Sequence, residues 1–201
     1  MTKIRHIVAS ESQAAVSLMA RAFFDDPLTV WIFPDAEARG ELNASFEALN
    51  VRAAVQRGHA YELTDGSGAA LWAPPGVDLH DEAGIEEVVE LIRSADPERA
   101  DEVLGGLLQT IAARPETPHF YLAEIGVVPE AWGRGLGSRL LRDGLERCDR
   151  YGHPAYLDAT SLLNVALYRR HRFEVTQEIQ LSNGPTLWGM WREPRSSCGP
   201  E

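Results

Sequence analysis

The apolar positions of this chain fall into short runs and helical stripes separated by turn residues. Ile4 to Val8 reads as a first strand. Ser10-Glu11-Ser12-Gln13 has capping-box spacing, and Ala14, Ala15, Leu18, Met19, Ala22 and Phe23 then share one helical face that ends near Asp25-Asp26-Pro27. Leu28 to Pro34 is too aromatic for a solvated loop, so it packs under the core or lines a pocket. Leu42, Phe46, Leu49 and Ala53 predict a second helix over 36–57. Two short strands, 59–63 and 69–73, flank Asp65-Gly66-Ser67-Gly68, a hairpin signal. Helical spacing returns at Ile85, Val88, Val89 and Ile92, and again at Val103, Leu104, Leu107, Leu108 and Ile111, with Pro97 in a first turn.

The second half is organised by one stretch. Phe120 to Val128 is a β-forming run that stops at Pro129; Gly133, Gly135 and Gly137 then open a helix whose buried face is Leu140, Leu141, Leu145 and Cys148. Pro154 to Ala159 is the next strand, parallel to the first because a helix connects them. A short helix over 164–170 follows, then an alternating run from Phe173 to Leu181, a Ser182-Asn183-Gly184-Pro185 turn and a closing strand over 186–191. The pattern predicts one α/β domain over 1–193 and a loose tail over 194–201, without internal repeats.

Composition narrows the class. With 201 residues, 44% hydrophobic, the chain is large enough for one good core. No apolar run approaches a membrane span, and Met1 to His6 lacks the apolar centre of a signal peptide, so the expected location is cytoplasmic, with no membrane partner. Cys148 and Cys198 form no disulfide framework, and Cys148 lies on an apolar face as a packed thiol. A net charge of −11 argues against nucleic-acid binding. Between Asp78 and Glu102 ten acidic residues face two arginines, whereas Arg134, Arg139, Arg142, Arg147 and Arg150 surround the glycine-initiated helix. The acidic run reads as a solvated face or as steering for a cationic amine, the basic one as attraction for a polyanion.

The strand–glycine–helix junction carries the chemistry. Free N–H groups at a helix start, the helix dipole and absent Cβ atoms form a cradle for a diphosphate, reinforced by Arg134 and Arg139. A P-loop requires a lysine that is missing here, where Ser138 and Arg139 follow Gly137. A dinucleotide site, with Asp158 as a ribose acid, needs Gly-x-Gly-x-x-Gly, whereas these glycines alternate; too little chain follows to finish a doubly wound sheet.

The run from Val128 through Trp132-Gly133-Arg134-Gly135-Leu136-Gly137, together with Asn164 to Phe173, resembles the two signature segments of the GCN5-related N-acetyltransferases (GNAT). Along its length the chain is most similar to the puromycin N-acetyltransferase branch, including Gly184-Pro185-Thr186-Leu187-Trp188. The resemblance is specific from Phe120 to Trp191. It implies a central mixed, mostly antiparallel sheet flanked by helices, with a parallel strand pair splayed around acetyl-coenzyme A. It also implies acetyl transfer by direct attack from that cofactor to the amine of a small molecule, a puromycin-like aminonucleoside antibiotic on nearest resemblance, with antibiotic resistance as the role.

By the same resemblance the backbone of Ile125, Gly126, Val127 and Val128 pairs with the pantetheine arm, and Gly133, Arg134, Gly135, Leu136, Gly137, Ser138 and Arg139 cradle the pyrophosphate. Asn164 holds the arm, Tyr168 is the general acid and also touches the cofactor, and Trp31 lies in the region that shapes the acceptor site. Two departures stand out: Trp132 where the family usually has Gln or Arg, and Arg172 where it usually has Gly, which suggests a differently finished helix. Glu124 and Asp158 are carboxylates able to take the amine's proton. Tyr168 and Asn164, four residues apart, share a helix face. No His, Cys and acid cluster has metal-ligand spacing, and no hydrolase elbow occurs. The rivals are a non-catalytic acyl-coenzyme A module and a dinucleotide-dependent oxidoreductase. A monomer or homodimer is expected.

Overall fold

The computed structural model describes residues 2–195. Seven strands form one sheet: β1 (Ile4–His6), β2 (Ala60–Leu63), β3 (Gly68–Ala73), β4 (Phe120–Val127), β5 (Ala155–Ala159), β6 (Glu174–Gln180) and β7 (Thr186–Arg192). Their spatial order is β1-β2-β3-β4-β5-β7-β6. Every neighbouring pair is antiparallel except β4 and β5, which the helical crossover makes parallel.

Helices cover both faces. On one, α6 (Leu136–Tyr151) and α7 (Leu162–Arg169) bury Leu140, Leu141, Leu145, Val165 and Tyr168 against Trp72, Phe120, Leu122 and Leu157. On the other, α1 (Ser12–Phe23) and α3 (Arg39–Gln56) bury Ala15, Leu18, Met19, Val51 and Ala54 against Leu71 and Ala73. A third cluster gathers α2 (Pro27–Ile32), α4 (Glu82–Ala95) and α5 (Ala100–Ala112) with the β6–β7 hairpin. Among the described residues no helix is long and apolar enough to cross a membrane.

Local chemistry explains where the elements differ from the sequence pattern. The expected capping box does not form: Ala9 to Glu11 make a 3-10 turn, Glu11 N–H bonds Val8 O, and the helix begins at Ser12, whose hydroxyl donates back to Ala9 O. The aromatic segment after Asp26 is a helix. Pro27 stands at its first position, and Asp26 Oδ1 accepts from Leu28 N–H at 2.9 Å. In α3 the most deeply buried stripe is offset by one residue from the apolar one: Asn43, Glu47 and Asn50 are buried, while Leu42, Phe46 and Leu49 are only partly covered.

Cys148 is packed, as expected; its Sγ donates to Gly144 O, and burial pushes the thiol up to about 12. Of the expected tail, Arg195 is tied down by its N–H to Asp149 Oδ1 at 2.8 Å, beside a bidentate bond from buried Arg192 to the same carboxylate. Residues 196–201, including Cys198, lie outside the described residues.

Candidate active site

The parallel pair supplies a gap. β4 and β5 pair only at Phe120↔Ala155 and Tyr121↔Tyr156 and then diverge. Beyond Tyr121 the β5-facing edge of β4 has no strand partner among the described residues. Backbone groups alternate in direction along a strand, and Val128 N–H bonds Ser67 O on the β3 side at 3.0 Å. The N–H and C=O of Val127 and Ile125 therefore face the gap, whereas those of Gly126 and Val128 serve β3. Trp132 closes one end of this edge: its indole Nε1 donates to Val127 O at 2.7 Å, and the ring is otherwise exposed.

Beside the gap lies the start of α6. Gly135 caps the helix in the left-handed region, φ 73°, as does Gly133 at 74° two residues earlier. The first helical hydrogen bond runs from Arg139 N–H to Gly135 O at 3.1 Å. Among the described residues the N–H groups from Gly133 to Ser138 have no acceptor. A Cβ built on Gly133 or Gly135 would meet nothing within 4 Å, so the open side of the turn is free for a ligand. Arg134 is exposed and Arg139 half-buried at this rim. His171 bonds Ser138 Oγ at 3.1 Å and is held below its usual pKa by burial and nearby arginines, Arg142 first. Unpaired N–H groups, a helix dipole and two guanidiniums fit a pyrophosphate, and the unpaired edge of β4 fits an amide-bearing arm.

A bulge aims the acid side of the site. The β3–β4 register runs Leu71↔Glu124 and then Trp72↔Leu122, leaving Ala123 as an extra residue on β4. Phe120 and Leu122 face α6; strict alternation would send Glu124 there too. The extra residue turns Glu124 onto the α3 face instead. There Asn50 Nδ2 donates to Glu124 Oε1 at 2.6 Å, and His80 Nε2 is 2.8 Å from Asn50 Oδ1. The carboxyl of Glu47, 1% exposed, lies close enough to that of Glu124 for the two to act on each other. Burial pushes Glu124 up to about 7, and burial together with the charge of Glu124 raises Glu47 well above the carboxylate range.

Asp158 is differently placed. Tyr156 donates to its Oδ1 at 2.8 Å and Tyr121 to its Oδ2 at 3.4 Å, so both oxygens are engaged. Burial raises its pKa against the opposing pull of the Tyr156 bond, Arg114 and Tyr121. The Arg114 guanidinium stacks 3.8 Å over the Tyr121 ring. Tyr168 packs its ring edge-on to Phe173 beneath α6, and its hydroxyl has no hydrogen-bond partner among the described residues. Burial, then the charges of Asp26 and Tyr121, raise its pKa and hold it protonated at neutral pH.

A profile of the acetyltransferase (GNAT) family matches residues 71–173, just over half of the chain. The chain is a GNAT acetyltransferase. Acetyl-coenzyme A is the cofactor of this enzyme. An uncharacterized N-acetyltransferase of Schizosaccharomyces pombe, C550.08, is 26% identical over 212 residues, covering 98% of this chain and 85% of its own. The same fold occurs in the histone acetyltransferase HPA2 and related acetyltransferase from Corynebacterium glutamicum, 23% identical with a TM-score of 0.74 over 98% of this chain and 99% of that one. It occurs also in arylalkylamine N-acetyltransferase 2 from Aedes aegypti, 14% identical with a TM-score of 0.67 over 96% and 99%.

The acetyltransferase brings most of the expected residues together. Ile125 and Val127 line the gap and Gly133 to Arg139 form the turn into α6; Asp158 is tied to Tyr121 across the parallel pair, Glu124 lies on β4 beyond it, and Tyr168 lies on α7. Asn164 is half-buried nearby, its Nδ2 3.4 Å from Thr160 Oγ1, which in turn donates to Asp26 Oδ2 at 2.6 Å.

Trp31 is not a pocket residue. It is 7% exposed, its indole N–H bonds Ser182 O at 3.2 Å, and a Cβ on Gly106 or Gly184 would come within 2.6 Å of its ring. The two glycines let α5 and the β6–β7 turn close on the indole, which makes it core. Arg172 does not finish α7 differently: at φ 70° it takes the left-handed conformation a glycine would take, with Phe173 N–H bonding Tyr168 O at 3.2 Å.

Asp26, Glu47, Asn50, His80, Arg114, Tyr121 and Tyr156 were absent from the sequence-derived site. The signal for two of them was present: Asn43, Glu47 and Asn50 keep helical spacing on α3, a polar stripe too regular for a solvated face.

Proposed function

We propose that this acetyltransferase acetylates the amine of a small molecule by direct attack, with Glu124 as general base and Tyr168 as general acid. What supports this reading is a buried carboxyl on β4 raised to about 7, together with a buried phenol on α7 whose hydroxyl has no hydrogen-bond partner among the described residues. Bound acetyl-coenzyme A supplies the thioester carbonyl, so that a C–N bond replaces the C–S bond and coenzyme A leaves as its thiol. Glu124 takes a proton from the incoming ammonium and frees the nitrogen lone pair. Val127 N–H, directed into the gap, donates to the carbonyl oxygen as negative charge develops there. Tyr168 gives the departing sulfur its proton and recovers one from the nitrogen, which loses its second hydrogen on becoming an amide; burial keeps the phenol from losing that proton to water beforehand. Asp158, with both oxygens engaged by phenols, orients Tyr121 and Tyr156 and leaves the base role to Glu124.

A small amine suits the acid-lined splay, with Asp26, Glu47 and Glu124 on one side. Support comes also from the shared fold of an arylalkylamine N-acetyltransferase. Within that class, the sequence resemblance from Phe120 to Trp191 favours a puromycin-like aminonucleoside and a protective role against it. Glu124→Gln tests the mechanism. At neutral pH kcat should fall about 10²–10⁴-fold. It should recover as pH approaches the amine's own pKa, where no base is needed. An unchanged kcat at neutral pH would remove Glu124 from the reaction.

A further inference from the structure

We propose that Glu47 is a positioning residue that shares one proton with Glu124 and thereby keeps the base charged, aimed at the gap and ready to accept a proton. The role given to Glu47 rests on the reading of Glu124 as base; the shared proton itself does not.

The buried cluster argues for the proton. Glu47 and Glu124 lie close enough for each carboxyl to act on the other, and neither has a hydrogen to donate unless one is protonated. The donors at Glu124 can be enumerated. Its Oε1 accepts from Asn50 Nδ2; Asn50 Oδ1 must then accept, so His80 Nε2 carries hydrogen and locks the amide in that orientation. Oε2 has no donor among the described residues, and neither does Glu47 Oε2. A proton held between the pair satisfies what these buried atoms otherwise lack.

Among the described residues no cation is directed at the pair. Asp26 adds negative charge from the α1–α2 turn, and Asp158 on β5 is held by Tyr121 and Tyr156. Arg114 lies over Tyr121, and Arg52 is paired with Glu87. His80, ahead of α4, is kept below its ordinary pKa by burial, and Tyr168 on α7 is protonated. Two full charges on adjacent buried carboxylates are therefore unfavourable, and the pair retains one proton.

The burial of Glu47 follows from the offset stripe of α3, and the β4 bulge brings Glu124 to it. In the resting pair Glu47 is the acid and Glu124 the carboxylate. The ammonium's proton passes to Glu124, the pair becomes doubly protonated, and one proton returns to water after product leaves. The nitrogen's electron pair forms the new bond; the Glu47 proton is not consumed.

The test uses the full chain and two readouts. Infrared spectra of the unliganded protein between pH 6 and 9 should show a buried protonated-carboxyl band in the wild type at pH 8. The band should vanish in Glu47→Gln, which keeps a donor but has no proton to share. Thermal stabilisation by acetyl-coenzyme A checks that each variant remains folded.

In Glu47→Ala, Glu124 loses its donor and its titration should move upward by about one unit, a tenfold change in proton affinity. In Glu47→Gln it should stay near the wild-type position, a rescue that a merely space-filling Glu47 would not produce. Absence of the band in the wild type, its persistence in Glu47→Gln, or identical Glu124 titration in wild type and Glu47→Ala overturns the inference. Wild-type turnover in Glu124→Gln would instead remove the base, and with it the purpose assigned to Glu47, independently of the infrared result.

Discussion

Replacing Gly135 with Asp should separate cofactor binding from folding. Gly135 has φ 73° and open space where a Cβ would go, so the fold meets no clash. Asp and Asn enter the left-handed region more readily than other L-residues, at a cost of about 1 kcal/mol. The carboxylate would stand at the turn where the free N–H groups from Gly133 to Ser138 converge. At roughly 5 Å and an effective dielectric of about 40 it repels each phosphate charge by about 1.5 kcal/mol. Two charges give about 3 kcal/mol, about a hundredfold in Kd. Gly135→Asn has nearly the same shape without the charge and should lose no more than about threefold, by weakening the close approach. Isothermal titration with acetyl-coenzyme A at low salt reads both constants, and circular dichroism confirms folding. Equal affinities for the Asp and Asn variants would refute an electrostatic cradle at α6.

Tyr168→Phe should lower kcat by about 10²-fold or more while leaving acetyl-coenzyme A affinity and stability near wild type, because the hydroxyl has no hydrogen-bond partner among the described residues; steady-state kinetics beside titration calorimetry decide this. Arg172→Gly should raise stability by about 1 kcal/mol in urea unfolding, since φ 70° costs an L-residue what glycine does not lose; a loss would mean that the arginine side chain makes a compensating contact. Glu124 binds its proton more tightly folded than unfolded, so its contribution to stability is complete below about 4.5 and is lost as pH rises through about 7. That loss is about 3 kcal/mol. Glu124→Gln should accordingly flatten the fall in unfolding free energy between pH 5 and 8, and parallel wild-type and variant curves would contradict the raised value.

The cofactor side of the site was legible in the sequence because its determinants are local. A β-forming run, Pro129, alternate glycines and the stripe from Leu140 to Cys148 specify strand, turn and helix within about thirty residues, and their order points to an anion site at the helix start. Even Arg172 was identifiable as a glycine position, although its residue type suggested another conformation; tertiary packing around Tyr168 and Phe173 prevails over intrinsic preference there. The acid side was not legible. Alternation along β4 puts Glu124 on the wrong face, and only a bulge whose partner lies on another strand reverses it. The periodic apolar residues Leu42, Phe46 and Leu49 mark one face of α3, but the sheet buries the neighbouring polar stripe because Glu47 and Asn50 find partners on β4 and beside α4. Trp31 failed for a related reason. The glycines that admit it into the core, Gly106 and Gly184, are far apart in sequence and make no shared local pattern.

The most direct test of acetyl transfer to a small amine through this site is release of coenzyme A thiol from acetyl-coenzyme A, with product mass measured, across a panel of primary amines that includes puromycin. Amine-dependent release with one acetyl group added per amine, lost in Tyr168→Phe and Glu124→Gln, is the predicted result. Binding of acetyl-coenzyme A without turnover for any amine in the panel, or turnover undiminished in both variants, would contradict it.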